Sequence, residues 1–344
     1  MPARVALVTP FAFPSVRGNA ITVERVARGL RGRGVDLLVT DLSVAPEEIA
    51  ARQIAQFQPA LVHAFHAFRV GPFALRVARR LDVPFIVTIT GTDANHDLFD
   101  PERAQTVRHV LEEADVVTVF HASISARITH ALPDLPVRVT VVPQSAFVEH
   151  AVGPAPRPSS GSRFLFPAGI RRVKNPRFPL APLDRLAPRH PGLTLRYVGP
   201  ILDGDEGEAL LDALRTRPWA RYIGTTPHHR MRAEYEDADI VLNCSLSEGG
   251  MANSVLEALA LGRAVLASNI EGNRSLIEDG VTGLLFDTPE EFTRKAERLI
   301  GNQELRRRLG EAGRAFIDAH FSAARELDGY MSVYASLCPA LWSA

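Results

Sequence analysis

The chain has 344 residues, a length that predicts roughly two domains, and its 46% hydrophobic content is that of a globular protein. Lys+Arg and Asp+Glu balance at 39 each, which excludes an overall field that would draw in nucleic acid or an anionic membrane. Two cysteines, Cys244 and Cys338, lie far apart and make neither a metal pattern nor a disulfide framework.

Val5–Thr9 reads as a first buried strand, reached without the apolar core of a signal peptide. No later run approaches the roughly 20 apolar residues of a membrane span. The expectation is a soluble, cytoplasmic protein with no transmembrane segment. Pro10 to Gly18 is a loop, and Ala20, Val23, Ala27 and Leu30 mark one face of a helix that Gly32 and Gly34 end. Strand-length apolar runs return at Val35–Val39, Leu61–Ala64, Pro84–Ile89, Val116–Val119 and Val137–Val142, with helical stretches such as Phe73–Leu81 and Glu102–Ala114 between them. Strands apolar throughout and alternating with helices predict a parallel sheet covered on both faces. Residues 151–162 are all turn chemistry and read as a linker between a first domain, 1–150, and a second, 163–320. The second domain repeats the alternation at Phe164–Phe166, Leu193–Val198, Tyr222-Ile223, Ile240–Leu242, Ala264–Ala267 and Leu284–Phe286. Pro179 and Pro182 argue for a delayed or kinked helix in between, and Asp203, Asp205 and Glu206 read as a solvated loop. Residues 321–344 hold a final amphipathic helix, expected to fold back onto the first domain. Two such sheets in tandem predict a ligand site in the cleft between them, outside the strand carboxyl ends.

Two stretches carry the chemistry. After the Ile240–Leu242 run comes Ser245-Leu-Ser-Glu248-Gly249-Gly250-Met251-Ala252-Asn253, then a helix containing Glu257. Strand, glycine turn and helix N-terminus bring backbone N–H groups and the helix dipole to one point, an anion site with two carboxylates beside it. A solvated turn with an exposed helical glutamate is the competing reading. At the end of the Phe164–Phe166 strand lies Gly169-Ile-Arg171-Arg-Val-Lys174, where a planar fork and a point charge suit a diphosphate. A solvated basic loop competes there, but both stretches leave strand ends of one predicted sheet. Gly199, ending the Leu193–Val198 strand, is either part of the nucleotide pocket or a plain turn. His63 and His66 point to opposite faces of an extended strand, which disfavours a shared metal and makes one a core residue and His66 a cleft residue. His228-His229 reads as an exposed helix start. Neither a zinc motif nor a serine nucleophile elbow is present.

Together, the Glu248…Glu257 turn, the Arg171…Lys174 loop and Asp279-Gly-Val-Thr-Gly-Leu-Leu-Phe286 resemble the retaining nucleotide-sugar glycosyltransferases of family 4, over nearly the whole chain. Gly18-Asn-Ala-Ile-Thr-Val-Glu-Arg25, Gly91-Thr-Asp-Ala-Asn95, Gly169 to Pro176 and Ser247-Glu-Gly249 are most similar to the short glycosyltransferase 1 domain-containing protein 1 group. Gly18-Asn19 with Thr22, Gly91-Thr-Asp93 and Gln144-Ser145 also resemble selenosugar synthases. The resemblance implies the GT-B fold, two doubly wound Rossmann-like domains facing across a cleft. It implies that Arg171 and Lys174 clamp the donor diphosphate and that Glu248 acts at the sugar. Gly169, Gly199, Gly249, Gly250, Met251, Ala252 and Asn253 would line the donor, with Glu257 on the ribose. Gly18, Asn19, His66, Thr92 and Asp93 would lie on the acceptor side.

Three departures from the family pattern stand out. Eight residues separate Glu248 from Glu257 where the family usually has seven, and the extra one either bulges or moves Glu248 off the sugar. Thr90 stands in place of a family histidine, and Gln144-Ser145 in place of Asn-Gly. The implied function is transfer of a sugar from a nucleotide diphosphate donor to an unidentified acceptor, with no cofactor beyond the donor and no obligatory metal. Two alternatives are a synthase joining selenophosphate or a thiol to the sugar, and a nucleotide-sugar-binding protein with reduced turnover. Oligomeric state is not legible.

Overall fold

The computed structural model describes residues 3–146, 161–248 and 250–339. Gly249 of the expected donor site and residues 151–160 of the expected linker lie outside them. The chain divides into two compact units, Met1–Ser145 with Ser322–Ala344, and Ala146–Phe321.

The first unit holds β1 (Arg4–Thr9), β2 (Asp36–Asp41), β3 (Leu61–Phe65), β4 (Phe85–Ile89), β5 (Val116–Val119) and β6 (Arg138–Val141). They form one sheet in the order β2-β1-β3-β4-β5-β6, every neighbouring pair parallel. Every residue of β3 and β4 is buried, because helices cover both faces of this sheet. The helix Gly18–Gly32 follows β1 and buries Ala20, Val23, Val26, Ala27 and Leu30, the spacing of a single apolar stripe.

The second unit holds β7 (Arg163–Pro167), β8 (Thr194–Val198), β9 (Ala220–Gly224), β10 (Ile240–Asn243), β11 (Ala264–Ser268) and β12 (Leu284–Phe286). Their order is β12-β11-β10-β7-β8-β9, again parallel throughout. The α/β, doubly wound reading of the sequence therefore holds in both units. Chain direction across each sheet reverses at one place, between β1 and β3 in the first unit and between β7 and β10 in the second. Loops at the carboxyl ends of such strand pairs diverge and leave a crevice.

The first unit is built from two separate pieces of sequence. The helix Ala323–Leu337 buries Tyr330 and Tyr334 in its core. His63 is a satisfied core histidine, with Nδ1 2.8 Å from the Tyr334 hydroxyl and Nε2 2.6 Å from the Thr88 hydroxyl. Burial pushes its pKa down to about 3, so the ring is neutral. Nearby, Arg25 donates from Nε and Nη2 to the two oxygens of Glu326, each at 2.8 Å, and both side chains are buried. Ser145 Oγ donates to the same carboxylate at 2.6 Å.

Two sequence expectations are corrected. Asp203, Asp205 and Glu206 are not a solvated loop. They open the helix Gly204–Leu214, where Asp203 accepts from the Glu206 N–H at 3.2 Å and two acidic residues sit in the first turn. His63 and His66 do not share a strand either, because β3 ends at Phe65 and His66 turns to φ +113°.

Candidate active site

In the second unit, the Gly169–Lys174 loop leaves β7 and the Ser245–Glu248 turn leaves β10, the two strands at the reversal. Arg171 is extended, Arg172–Lys174 make one 3₁₀ turn, and Asn175 stops it at φ +51°. The Leu246 N–H donates to the Val173 carbonyl at 2.9 Å, which ties loop to turn. Lys174 Nζ then forms an ion pair with Glu248 Oε1. Ser245 Oγ and Asn243 Nδ2 donate to the same oxygen at 2.6 and 3.1 Å. Desolvation works to raise the Glu248 carboxyl, but the Lys174 charge and these hydrogen bonds outweigh it and hold the pKa below 4.5. Glu248 is therefore an anion at neutral pH.

The turn is backed by Gly272. A Cβ there would lie 2.6 Å from Glu248 Cβ and 2.5 Å from the Gly250 carbonyl oxygen, so only glycine lets the two backbones meet. Met251 and Ala252 bury their side chains and offer a ligand only backbone. Ala252 precedes the helix Asn253–Ala260, which has no side-chain cap. Gly199 rather than Gly169 supplies the unusual backbone at the neighbouring strand ends. Its φ is +148°, and a Cβ there would collide with the Ala168 carbonyl.

Glu257 lies on that helix and is 6% exposed. Its Oε1 is 2.9 Å from His228 Nε2, and its Oε2 accepts from the Tyr235 hydroxyl at 2.8 Å. Burial, and then the Glu257 charge, push the Tyr235 phenol well above 10.0, so Tyr235 stays a donor. His228 is thus not the exposed helix start expected of it; it is buried against Glu257, while His229 alone faces solvent. A carboxylate has about four acceptor positions, so two remain for a ligand after both protein partners are satisfied.

In the first unit, the loops after β1 and β3 meet at the other reversal. Gly18 is exposed and Asn19 half-buried at the start of their helix. His66 is 1% exposed. Its Nδ1 accepts from the Arg69 N–H at 3.3 Å, which leaves the proton on Nε2 to reach Thr92 Oγ1 at 2.9 Å. Burial lowers the His66 pKa more than Asp93 and Asp97 raise it, so its 3.8 Å approach to Asp93 joins a neutral ring to a carboxylate. Asp93 is 0% exposed and accepts from the N–H groups of Ala67, Gly91 and Thr90 at 3.0, 2.6 and 3.1 Å. His66 and Asp93, expected on the acceptor side, both have buried side chains, and Asp93 accepts the N–H groups that shape its loop. Thr92 is the partly exposed member of the three. In the loop after β1, Phe11 carries the Arg17 guanidinium 4.1 Å from its ring centre and the Arg69 guanidinium at 5.9 Å. Among the described residues no group of three or more His, Cys, Asp or Glu is arranged to hold a metal ion, and no helix is long and apolar enough to cross a membrane.

The family model described as Glycosyl transferases group 1 matches residues 154–316. A D-inositol 3-phosphate glycosyltransferase from Frankia alni is 30% identical, over 74% of this chain and 69% of its own length. The chain is a group 1 glycosyl transferase. Glycosyltransferase 1 domain-containing protein 1 of Xenopus tropicalis is 28% identical to this glycosyl transferase, over 93% of the one and 94% of the other. Sucrose-phosphate synthase from Thermosynechococcus elongatus matches its fold with a TM-score of 0.80 at 17% identity, covering 98% and 100% of the two chains. Anabaena HepE, solved in complex with UDP-glucose, gives 0.78 at 14% identity over 97% and 100%. At these identities the likeness shows the fold, the GT-B architecture of two α/β units.

Within this glycosyl transferase, Arg171, Lys174 and Glu248 come from one pair of loops, and Glu257 from the helix that follows. Sequence reasoning gave no site role to Asn243, His228, Tyr235 or Gly272, and it placed Ser245 in the donor turn without a partner. A polar residue ending an apolar strand was the available signal for Asn243. Nothing local marked His228 or Gly272, since each is defined by a partner more than twenty residues away.

Proposed function

We propose that this glycosyl transferase belongs to the retaining branch, family 4, and moves a sugar from a nucleoside diphosphate donor to an acceptor hydroxyl or other nucleophile. The observation that carries the reading is the Lys174–Glu248 pair at the β7/β10 reversal, where a partly buried ammonium and an ionised carboxylate are joined at the strand ends. Lys174 spends one of three N–H donors on Glu248, which leaves two for phosphate oxygens. Arg171, one turn earlier, adds a planar fork. The bond from the anomeric carbon to the diphosphate breaks, the acceptor takes the sugar, and the acceptor proton leaves with the departing phosphate. Positive charge from Arg171, Lys174 and the Asn253–Ala260 helix start stabilises that leaving group, and Glu248 receives sugar hydroxyls. Glu257 takes the ribose hydroxyls through the acceptor positions that His228 and Tyr235 leave open.

The test is release of UDP from UDP-glucose by the purified chain, with and without candidate acceptors, in excess chelator. Turnover is expected to persist without added metal, and the product to keep the donor's anomeric configuration by NMR. An inverted product, or activity abolished by chelator and restored by Mg²⁺, would overturn the reading. Failure of every common nucleotide sugar to bind would remove the donor assignment altogether.

A further inference from the structure

We propose that the loops after β1 and β3 form an oxyanion subsite, and that the acceptor carries a phosphate group there. The proposal rests on the transferase reading above. Two guanidiniums, Arg17 and Arg69, converge on the single ring of Phe11, at 4.1 and 5.9 Å from its centre. Like charges brought to one ring repel, and only a nearby anion offsets that cost. Arg25, Arg28, Arg33, Arg76, Arg79 and Arg103 each pair with Asp or Glu, whereas among the described residues neither Arg17 nor Arg69 has a carboxylate at ion-pair distance. The Phe11 ring holds both cations near it by cation–π attraction without neutralising them. Two fixed, unneutralised forks are a receptor for an anion.

The place in the fold is a second, independent indication. Arg17 follows β1 and Arg69 follows β3, and these adjacent parallel strands flank the reversal of the first sheet, where doubly wound sheets take their ligands. The helix that begins at Gly18 has no acidic residue in its first turn, so that turn itself brings no negative charge to the loop. Thr92, held by neutral His66, adds a partly exposed hydroxyl in the neighbouring loop. The donor diphosphate is assigned to Arg171 and Lys174 in the other unit, which leaves this cluster for the acceptor. A phosphate monoester, with two charges and three acceptor oxygens, matches two guanidiniums better than a singly charged carboxylate does.

The experiment uses the full chain saturated with UDP, titrated with inorganic phosphate and followed by phosphorus NMR, with acetate and glycerol as competitors. Saturable phosphate binding is expected, with acetate about tenfold less effective and glycerol without effect. The double variant Arg17→Gln/Arg69→Gln should weaken phosphate about tenfold or more, and the exposed single change Arg69→Gln about threefold, with UDP affinity and unfolding temperature retained. Absence of saturable phosphate binding, or variants that bind like the parent, overturns the subsite. Acetate displacing phosphate on equal terms overturns the assignment to phosphate. Failure of the parent to bind UDP sinks the donor reading instead, and the phosphate titration repeated without UDP still decides the subsite.

Discussion

Desolvation alone would raise the Glu248 carboxyl, and it is the Lys174 ammonium with Ser245 and Asn243 that reverses the sign. Because the folded pKa lies below 4.5, ionised Glu248 contributes stability that is fully present above pH 4.5 and is lost as pH falls through the folded value. Glu248→Gln should therefore be less stable than the parent at pH 7, by about 1–3 kcal/mol for a pair that retains some solvent contact. That gap should close as pH drops below 4.5; a gap independent of pH would count against the ion pair. Glu257 makes a different demand, since His228 and Tyr235 hold its two oxygens in place. Glu257→Ala is expected to weaken both UDP and UDP-glucose about tenfold or more, while Glu248→Ala spares UDP and damages sugar-dependent turnover. Calorimetric UDP binding by the two variants decides it, and equal losses would sink the division of roles. Tyr235→Phe, which removes one donor and keeps the ring, should cost UDP about three- to tenfold.

At the scale of elements, the Glu248 turn depends on a short helix pressed against it. Gly272→Ala places a methyl group into the Gly250 carbonyl and Glu248 Cβ, and backbone must shift to admit it. A loss of about 1–3 kcal/mol in stability is expected, together with reduced turnover of UDP-glucose. Thermal unfolding and UDP release measure the two, and parental values in both would show that the turn is not packed as described. The strands themselves were legible because each parallel strand is buried on both faces and so reads as an unbroken apolar run; all twelve runs became strands. The Lys174 loop and Glu248 turn were legible because glycine and charge sit directly after such runs. What the sequence hid depends on distance: His228 looks like a polar helix start until Glu257 arrives 29 residues later. Asp203 was readable and missed, since Asp203 with Glu206 three residues on is a capping pattern. The internal partners of His66 and Asp93 were not legible, because they are backbone N–H groups and a threonine brought in by the loops after β3 and β4.

At the scale of the whole molecule, the first unit depends on a buried ion pair between residues some three hundred positions apart. Arg25→Ala strips Glu326 of its counter-charge where neither side chain meets solvent, at a cost of about 3–5 kcal/mol. Hydrogen exchange should quicken at amides of β1, β3 and the helix Ala323–Leu337 and stay unchanged in the second unit; uniform quickening, or none, would contradict this. The same discontinuity sets an order of events during synthesis. When residue 145 leaves the ribosome, all six strands of the first sheet exist, but the side chains that cover His63 and answer Arg25 have not been made. The second unit, continuous in sequence, is complete first. At about 5–20 residues per second the first sheet waits roughly ten to forty seconds with that face open. Over that interval the nascent chain presents Phe65, Val142 and an uncompensated arginine to whatever chaperone meets it.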